Sequence, residues 1–363
     1  MRAVVVMIAT ILGLGILGLP YVFTQAGFVV GLVELLVVAA ALCCLYLMYA
    51  EITLHVPGRH RYAGYMGQLL GPRVGRFAGI FFVATMFGGL LPFLIVVGPF
   101  LHGLFGLDPF FGSILMWMLA AVMLLFGMGV VVRVESWIIG TLLLVYVLLM
   151  IFSVPHLHLN AMAAFGKPHF FLLPIGVILF ALGGFGAIPE MHDLLGRQKR
   201  RIGKAILLSM TILTLLYGLF VFFVMGTLGE TVAQNPLPAM AALMPPWLGV
   251  LVLLVGTISA FSIFPVIGSE LIATLQVDFG RSKGFAWSVT ALVPLLVYLA
   301  GVRELTTVMG FFGSTFGAVI GLFIIAAYGK TKAPRLLPLW SRYPVALVFA
   351  LGALAEIWYT LSV

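Results

Sequence analysis

Apolar residues run along this chain in long blocks, and the polar residues are confined to short gaps between them. Blocks of helical length fall at residues 3–25, 28–50, 76–104, 110–132, 135–155, 170–192, 204–228, 246–275, 284–301, 304–328 and 343–361. Each is close to the roughly 20 residues that carry a helix across the hydrocarbon of a bilayer. The pattern predicts an all-α polytopic membrane protein of about eleven transmembrane helices, with ends placed to about four residues. No gap is long enough for a separate soluble domain.

Two blocks are badly made for a helix. The first contains Thr10-Ile-Leu-Gly-Leu-Gly-Ile-Leu-Gly-Leu-Pro20, and the sixth contains Leu182-Gly-Gly-Phe-Gly-Ala-Ile-Pro189. Glycine weakens a helix, and proline removes a backbone donor. Such runs persist at membrane depth only where the freed backbone groups meet protein, water or a ligand. Unwinding is expected over Gly13–Gly18 and over Gly183–Gly186. The N–H groups starting the outer half-helix would suit a carboxylate. Carbonyls ending the inner half-helix, with those at Gly183, Gly184 and Gly186, would face an ammonium. The alternative is that these glycines only let helices pack closely.

Charge orders the blocks. With the N-terminus inside, Arg2, Arg59, Arg61, Arg73, Arg76, Arg133, Arg197, Lys199, Arg200, Arg201, Lys204, Arg281, Lys283, Lys330, Lys332, Arg335 and Arg342 fall on one side. Lys167 and Arg303 fall on the other. That asymmetry predicts a cytoplasmic N-terminus, an extracellular C-terminus and a plasma (inner) membrane location. The first and sixth blocks then run in opposite directions, so residues 1–155 and 170–328 form a 5+5 inverted repeat, with 343–361 as an accessory helix. Broken helices in corresponding positions of two such halves are the sequence pointer to a transporter binding site.

Composition agrees. The mean hydropathy is +1.23, with 63% hydrophobic and 8% charged residues. The net charge of +8 comes without an aromatic-interleaved basic patch, so nucleic acid is not an expected partner. The lipid bilayer and a small-molecule substrate are, and the reading requires no oligomer. The first twenty residues resemble a secretory signal but carry no convincing cleavage site, so a retained first span is expected. Cys43 and Cys44 are adjacent and are expected to be inert. Residues 229–246 are either a structured outer cap with a short helix or an irregular linker. The segment from Pro57 to Pro72 is expected to lie amphipathically on the inner membrane surface.

The motif Gly13-Leu-Gly-Ile-Leu-Gly-Leu-Pro20, followed by Tyr21 and Gly27, resembles the amino acid/auxin permease family, nearest its aromatic and hydroxy amino acid permeases. Phe180-Ala-Leu-Gly-Gly-Phe-Gly-Ala-Ile-Pro-Glu190 is similar to that group's sixth span. Thr257-Ile-Ser-Ala-Phe-Ser262 with Gly268-Ser-Glu270 resembles its eighth. The resemblance implies a leucine-transporter type of fold and amino acid uptake coupled to protons or sodium. It also implies a sodium site built from Thr257, Ser259 and Ser262 with carbonyls near Thr10 and Gly13. One departure is that Gly186-Ala187 stand where related permeases often carry a polar residue or histidine.

Other candidates follow from residue chemistry. Membrane-embedded acids are functional by default, and Glu190, just after the second break, is expected to carry a proton or to pair with a cytoplasmic arginine at an inner gate. Glu34, Glu270 and Glu356 are weaker, while Glu51, His192 and Asp193 are expected to be solvated at the interface. Ser259 and Ser262 share a helix face, although such hydroxyls also return bonds to their own backbone. Phe180, Phe185 and Phe261 are candidates for an apolar side-chain pocket beside Ile16. His156 and His158 lack further metal ligands, and no cofactor, catalytic cluster or phosphate-binding loop is present, so an enzyme is not expected. The expected activity is secondary import of a small neutral amino acid, aromatic or hydrophobic, by proton or sodium symport. The alternatives are an amino acid sensor of the same fold and an inorganic-ion exchanger.

Overall fold

A computed structural model describes residues 2–58, 60–126, 131–163, 166–195, 199–332 and 336–362; side chains at 126, 131–137, 139, 161, 163, 199, 200 and 359–362 are left aside. The predicted cytoplasmic charges Arg59, Arg197 and Arg335 lie outside the described residues, as do the side chains of Arg133, Lys199 and Arg200. Among the described residues the chain is helical throughout, with no strand. The elements are α1 (Arg2–Ile11), α2 (Gly15–Ala26), α3 (Phe28–His55), α4 (Tyr62–Leu70), α5 (Pro72–Phe105) and α6 (Pro109–Phe126). Then come α7 (Val131–Ser153), α8 (Asn160–Ala163), α9 (Leu173–Ala181), α10 (Ala187–Leu195), α11 (Lys199–Leu228) and α12 (Leu237–Leu243). They end with α13 (Pro246–Val277), α14 (Lys283–Leu299), α15 (Leu305–Phe311), a π-helical turn (Phe312–Phe316), α16 (Gly317–Tyr328) and α17 (Arg342–Ser362).

Five stretches are each long and apolar enough to cross a membrane: Phe28–His55, Pro72–Phe105, Arg201–Thr231, Pro246–Val277 and Leu305–Tyr328. α1 and α2 together make a sixth, bent by 58°. Pro109–Leu125, Gly140–His156, Pro168–Ala181 and Lys283–Leu299 are shorter apolar helices. Large apolar side chains such as Val29, Leu36, Phe77, Leu215 and Leu347 point outward, more than half exposed. In water that surface would be costly; against acyl chains it is the expected exterior of a multi-pass membrane protein. The four half-helices α1, α2, α9 and α10 sit inside, bordered by α3, α11 and α15.

The connections correct two expectations. The segment after α3 does not simply rest on the membrane. α4 buries Tyr62, Tyr65 and Met66 against protein, and the Tyr62 hydroxyl donates to the Ile320 carbonyl at 3.0 Å. Tyr49 meets the rings of Tyr62 and Tyr65 edge-on. The apolar face of α4 is thus taken up by the bundle. Glu51 is not solvated either. It is fully buried, accepts from Leu336 N–H at 3.1 Å and pairs with His55 at 3.0 Å. The reason is the chain after α16, which folds back over the end of α3 and excludes water there. The segment 229–246 does contain a short helix, α12, with Gln234 Oε1 accepting from Thr306 N–H at 3.2 Å. Cys43 and Cys44 are unbridged.

Candidate functional site where two helix breaks touch

The first break is shorter than the glycine pattern implies. Only Leu12, Gly13 and Leu14 leave the helix, while Gly15, Gly18 and Pro20 lie inside α2. The physical reason is contact. A Cβ at Gly15 would stand 2.7 Å from Ala181 Cα, and one at Gly18 would stand 2.8 Å from Met309 Sδ. These two glycines let α2 lie against α9 and α15, so packing explains them and unwinding does not. Pro20 is at the sixth position of α2, and Thr24 Oγ1 donates to its carbonyl at 2.9 Å. Gly13 is different: it is half-buried, and its nearest neighbour is Ile263 Cδ1, 3.2 Å from a built Cβ.

Helix termini supply the polarity here. The N–H groups of Gly13, Leu14 and Gly15 meet no protein acceptor among the described residues. They form the start of α2, where the first-turn donors have no intrahelical partner and the dipole is positive. The carbonyls of Leu12 and Gly13 likewise accept no bond among the described residues. Thr10 is exposed beside the break, and Ile16 is fully buried behind it.

The second break covers residues 182–186 between α9 and α10, where it was expected. Pro189 sits at the third position of α10, where a backbone N–H has no intrahelical acceptor to lose. Gly184 is buried against Ile11 and Tyr46, whereas Gly186 is exposed with no atom within 4 Å of a built Cβ. Gly183 N–H bonds back to Phe180 carbonyl at 3.0 Å, and Ala187 N–H to Gly184 carbonyl at 3.1 Å. Phe180 is half-buried along the π-turn at Gly313. Phe185 is packed edge-on against Tyr46, ring centroids 5.5 Å apart, so it is buried wall and not an open pocket face.

Two tyrosines that the sequence pattern did not single out tie the breaks together. Tyr46 of α3 donates to Leu182 carbonyl at 2.6 Å and accepts from Gly184 N–H at 2.6 Å. Tyr217 of α11 reaches the Ile11 carbonyl at 3.0 Å and the Ala181 carbonyl at 3.1 Å. Ile11 and Ala181 are the last residues of α1 and α9, so one phenol faces the negative ends of both half-helices. A tyrosine in the middle of an apolar helix was the available signal, because its hydroxyl needs a partner at membrane depth.

The hydroxyls of the expected ion site are committed to their own helices. Thr10 donates to Val6 carbonyl at 2.9 Å, Thr257 to Leu253 carbonyl at 2.8 Å and Ser262 to Ser259 carbonyl at 2.9 Å. Such bonds use the hydroxyl proton and leave oxygen lone pairs able to face a cation. Ser259 is buried, Ser262 is half-buried, and α13 reaches Gly13 through the neighbouring Ile263.

Of the arginines expected to partner Glu190, Arg197 and the side chain of Arg200 lie outside the described residues. Arg61, just before α4, pairs with Glu270 of α13. Glu190 is exposed, in the field of Glu270 and Asp193. The docking of α4 is what brings Arg61 to α13. Asp278, just past α13, completes the cluster: burial pushes its carboxyl above the usual range, Glu270 adds to that, and Arg61 and His60 draw it back.

Broken helices whose ends meet inside an apolar multi-pass bundle define a class, that of membrane transporters with discontinuous helices. The sequence matches the family model described as transmembrane amino acid transporter protein over residues 1–333, and the chain belongs to that family. No individually curated protein matches it. Among solved structures it is similar to MhsT in complex with L-phenylalanine, with 16% identity, a TM-score of 0.70, and 99% of this chain and 97% of that one covered. It is also similar to the Eremococcus coleocola manganese transporter in complex with an aromatic bis-isothiourea substituted compound. There the identity is 12%, the TM-score 0.70, and the coverage 98% and 84%. These likenesses establish a shared fold.

Proposed function

We propose that this chain is a secondary transporter that imports a small neutral amino acid, aromatic or hydrophobic, by alternating access. In this reading eleven helices cross the plasma membrane from a cytoplasmic N-terminus to an extracellular C-terminus. The first ten form the 5+5 inverted repeat, with α17 as the accessory span. The observation that carries the reading is the contact of Gly15 with Ala181, which sets the unpartnered N–H groups of Gly13, Leu14 and Gly15 beside the second break. A substrate carboxylate takes those donors at the positive end of α2.

The ammonium goes to the carbonyls of Leu12, Gly13 and Gly183, which accept no bond among the described residues. Ile11 and Ala181 are already held by Tyr217. Phe180 and Gly186 form the side-chain wall, backed by the buried Ile16, Gly184 and Phe185, with Gly18 allowing α15 to close over it. The two similar structures name unlike cargoes, so fold alone does not choose between an amino acid and a metal ion. The chemistry favours the amino acid: residues 10–18 and 180–187 carry no ionisable side chain, and hard cations seek anionic oxygen.

Coupling is to a cation. Sodium would use Thr257, Ser259 and Ser262 with carbonyls near Thr10 and Gly13; a proton would use an inner carboxylate such as Glu190. The test is uptake of labelled amino acids by proteoliposomes under a proton gradient, a sodium gradient, or neither. Gradient-driven accumulation is expected. Saturable binding without accumulation under any gradient would reassign the chain as a sensor, and no binding would refute the site.

A further inference from the structure

One half-buried carboxylate stands outside the site just described. Glu356 of α17 reaches between two other helices, through a notch that exists because the opposing residues lack side chains. A Cβ at Gly310 would stand 3.0 Å from Glu356 Oε2 and 3.4 Å from Oε1, and one at Gly176 would stand 3.3 Å from Oε2. Gly310 belongs to α15 and Gly176 to α9, so the carboxyl wedges the seam between them. At the same seam stands Ser314 of the π-turn, one helical turn past Gly310 and near enough to Glu356 to act on it. The Ser314 hydroxyl donates its one proton to the Gly310 carbonyl at 2.6 Å. A hydroxyl so committed can only accept from a neighbour, so Glu356 can bond to it only when the carboxyl itself holds a proton. When that proton leaves, the carboxylate becomes acceptor-only and draws the Ser314 proton away from Gly310.

The seam leads to the second break. The π-turn packs along α9, where Gly313 meets Phe180 N at 2.7 Å from its built Cβ. π-turns inside α-helices recur at functional positions. On the other side, Ala355, next to Glu356, lines an outer cleft of about 270 Å³ with His169, Leu172 and Trp358.

The surroundings supply little to hold a charged carboxylate. α9, α15 and the π-turn have no ionisable side chain, and α16 has only Tyr328. α3 brings the acid Glu34, the neutral Cys43, Cys44, Tyr46 and Tyr49, and the Glu51–His55 pair at its inner end. On α17 itself Arg342 is fourteen residues away, about 21 Å along the helix. His169 stands at the outer cleft.

We propose that Glu356 is a proton-binding site coupled to transport, and that Ser314 passes its protonation state through the Gly310 turn to the half-helix α9. This deepens the transporter reading and rests on it by naming the proton as a coupling ion. The test separates the two. Infrared titration of purified protein in lipid reads the carbonyl stretch of a protonated acid, with no need for transport. The band is expected in the parent, absent in Glu356→Gln and retained in Glu34→Gln and Ser314→Ala.

In proteoliposomes, Glu356→Gln is expected to lose proton-gradient-driven accumulation down to the no-gradient level while keeping substrate counterflow. Ser314→Ala is expected to weaken the gradient response while keeping the band. A band that persists in Glu356→Gln, or that is lost instead in Glu34→Gln, overturns the proposal. So does full gradient-driven accumulation by Glu356→Gln. A parent protein that neither accumulates nor exchanges any amino acid, yet still shows the Glu356 band, overturns the transporter reading and the coupling but not the proton site.

Discussion

Replacing Tyr217 with phenylalanine removes one oxygen and keeps the ring. The hydroxyl is fully buried and lies 3.0 Å from the Ile11 carbonyl and 3.1 Å from the Ala181 carbonyl. It has one proton for two acceptors, so the change deletes about one hydrogen bond's worth of donation and strips both helix ends of their shared partner. Leaving a buried acceptor unmatched costs about 1–3 kcal/mol. The two carbonyls are also the negative ends of α1 and α9 facing each other, which places the expected loss toward the upper part of that range. Tyr146→Phe is the internal control. Tyr146 is buried nearby, its ring 5.2 Å from that of Phe220, and its hydroxyl has no protein partner among the described residues. Its removal is expected to be near neutral. Denaturant titration of the purified proteins from mixed micelles gives both differences. A second reading sharpens the test: the freed carbonyls can accept a positive charge, so a bound amino acid should stabilise Tyr217→Phe more than the parent. Equal stability of the Tyr217 and Tyr146 variants, with equal response to ligand, would refute the claim that this phenol holds the breaks together.

Three further outcomes are expected. Gly15→Ala drives a Cβ to 2.7 Å from the Ala181 backbone and should cost about 1–3 kcal/mol by overpacking, while Gly186→Ala meets open space and should melt like the parent; Gly186→Val should then fold yet lose uptake, and a stable Gly15→Ala would contradict the contact. Arg61→Gln or Glu270→Gln should change stability little, because the paired side chains are 33% and 42% exposed and such pairs contribute about 0–1 kcal/mol; the pair ties α4 to α13, so either change is expected to speed alkylation of a cysteine placed at Thr10, and unchanged labelling would show that the pair does not restrict access to the break. Asp278 has a carboxyl pushed above 3.8 by burial, with Oδ2 lacking a partner among the described residues. A raised folded value means its favourable contribution is present below pH 3.8 and is lost as pH rises through that folded value. Asp278→Asn should therefore gain on the parent at about pH 7 and lose that advantage toward about pH 4 in melting curves, and a pH-independent difference would exclude this origin.

What the sequence made legible was whatever depends on local composition. Gly183, Gly184 and Gly186 announced the second break because glycines with Pro189 defeat a helix without help from elsewhere. At the first break the same logic overreached. Gly15 and Gly18 weaken a helix in isolation, yet α9 and α15 press on their bare faces and keep α2 helical through them. Glycine has two uses in a membrane helix, unwinding and close approach, and only the partner decides between them. The partner of Gly15 is Ala181, far along the chain, so no local pattern could have separated the uses. Glu51 failed in the same way: it seemed solvated because it ends an apolar block, but residues after α16 return to cover it.

The tyrosines mark the boundary of that legibility. A hydroxyl at membrane depth must find a partner, so Tyr46 and Tyr217 each carried a readable demand. Their partners, Leu182, Gly184, Ile11 and Ala181, were the residues whose backbone groups the breaks set free. Both sides of the pairing were thus visible as unmet requirements, one set on α3 and α11 and the other on the half-helices. What joined them was the fold, which puts α3 and α11 against α9 and α1. Unmatched polar groups in an apolar chain therefore belong together as a set, since lipid offers neither side an alternative. Applied here, that rule sends Tyr217 to a break, and it leaves Glu34, like Asp278, with a buried carboxyl oxygen still lacking a partner among the described residues.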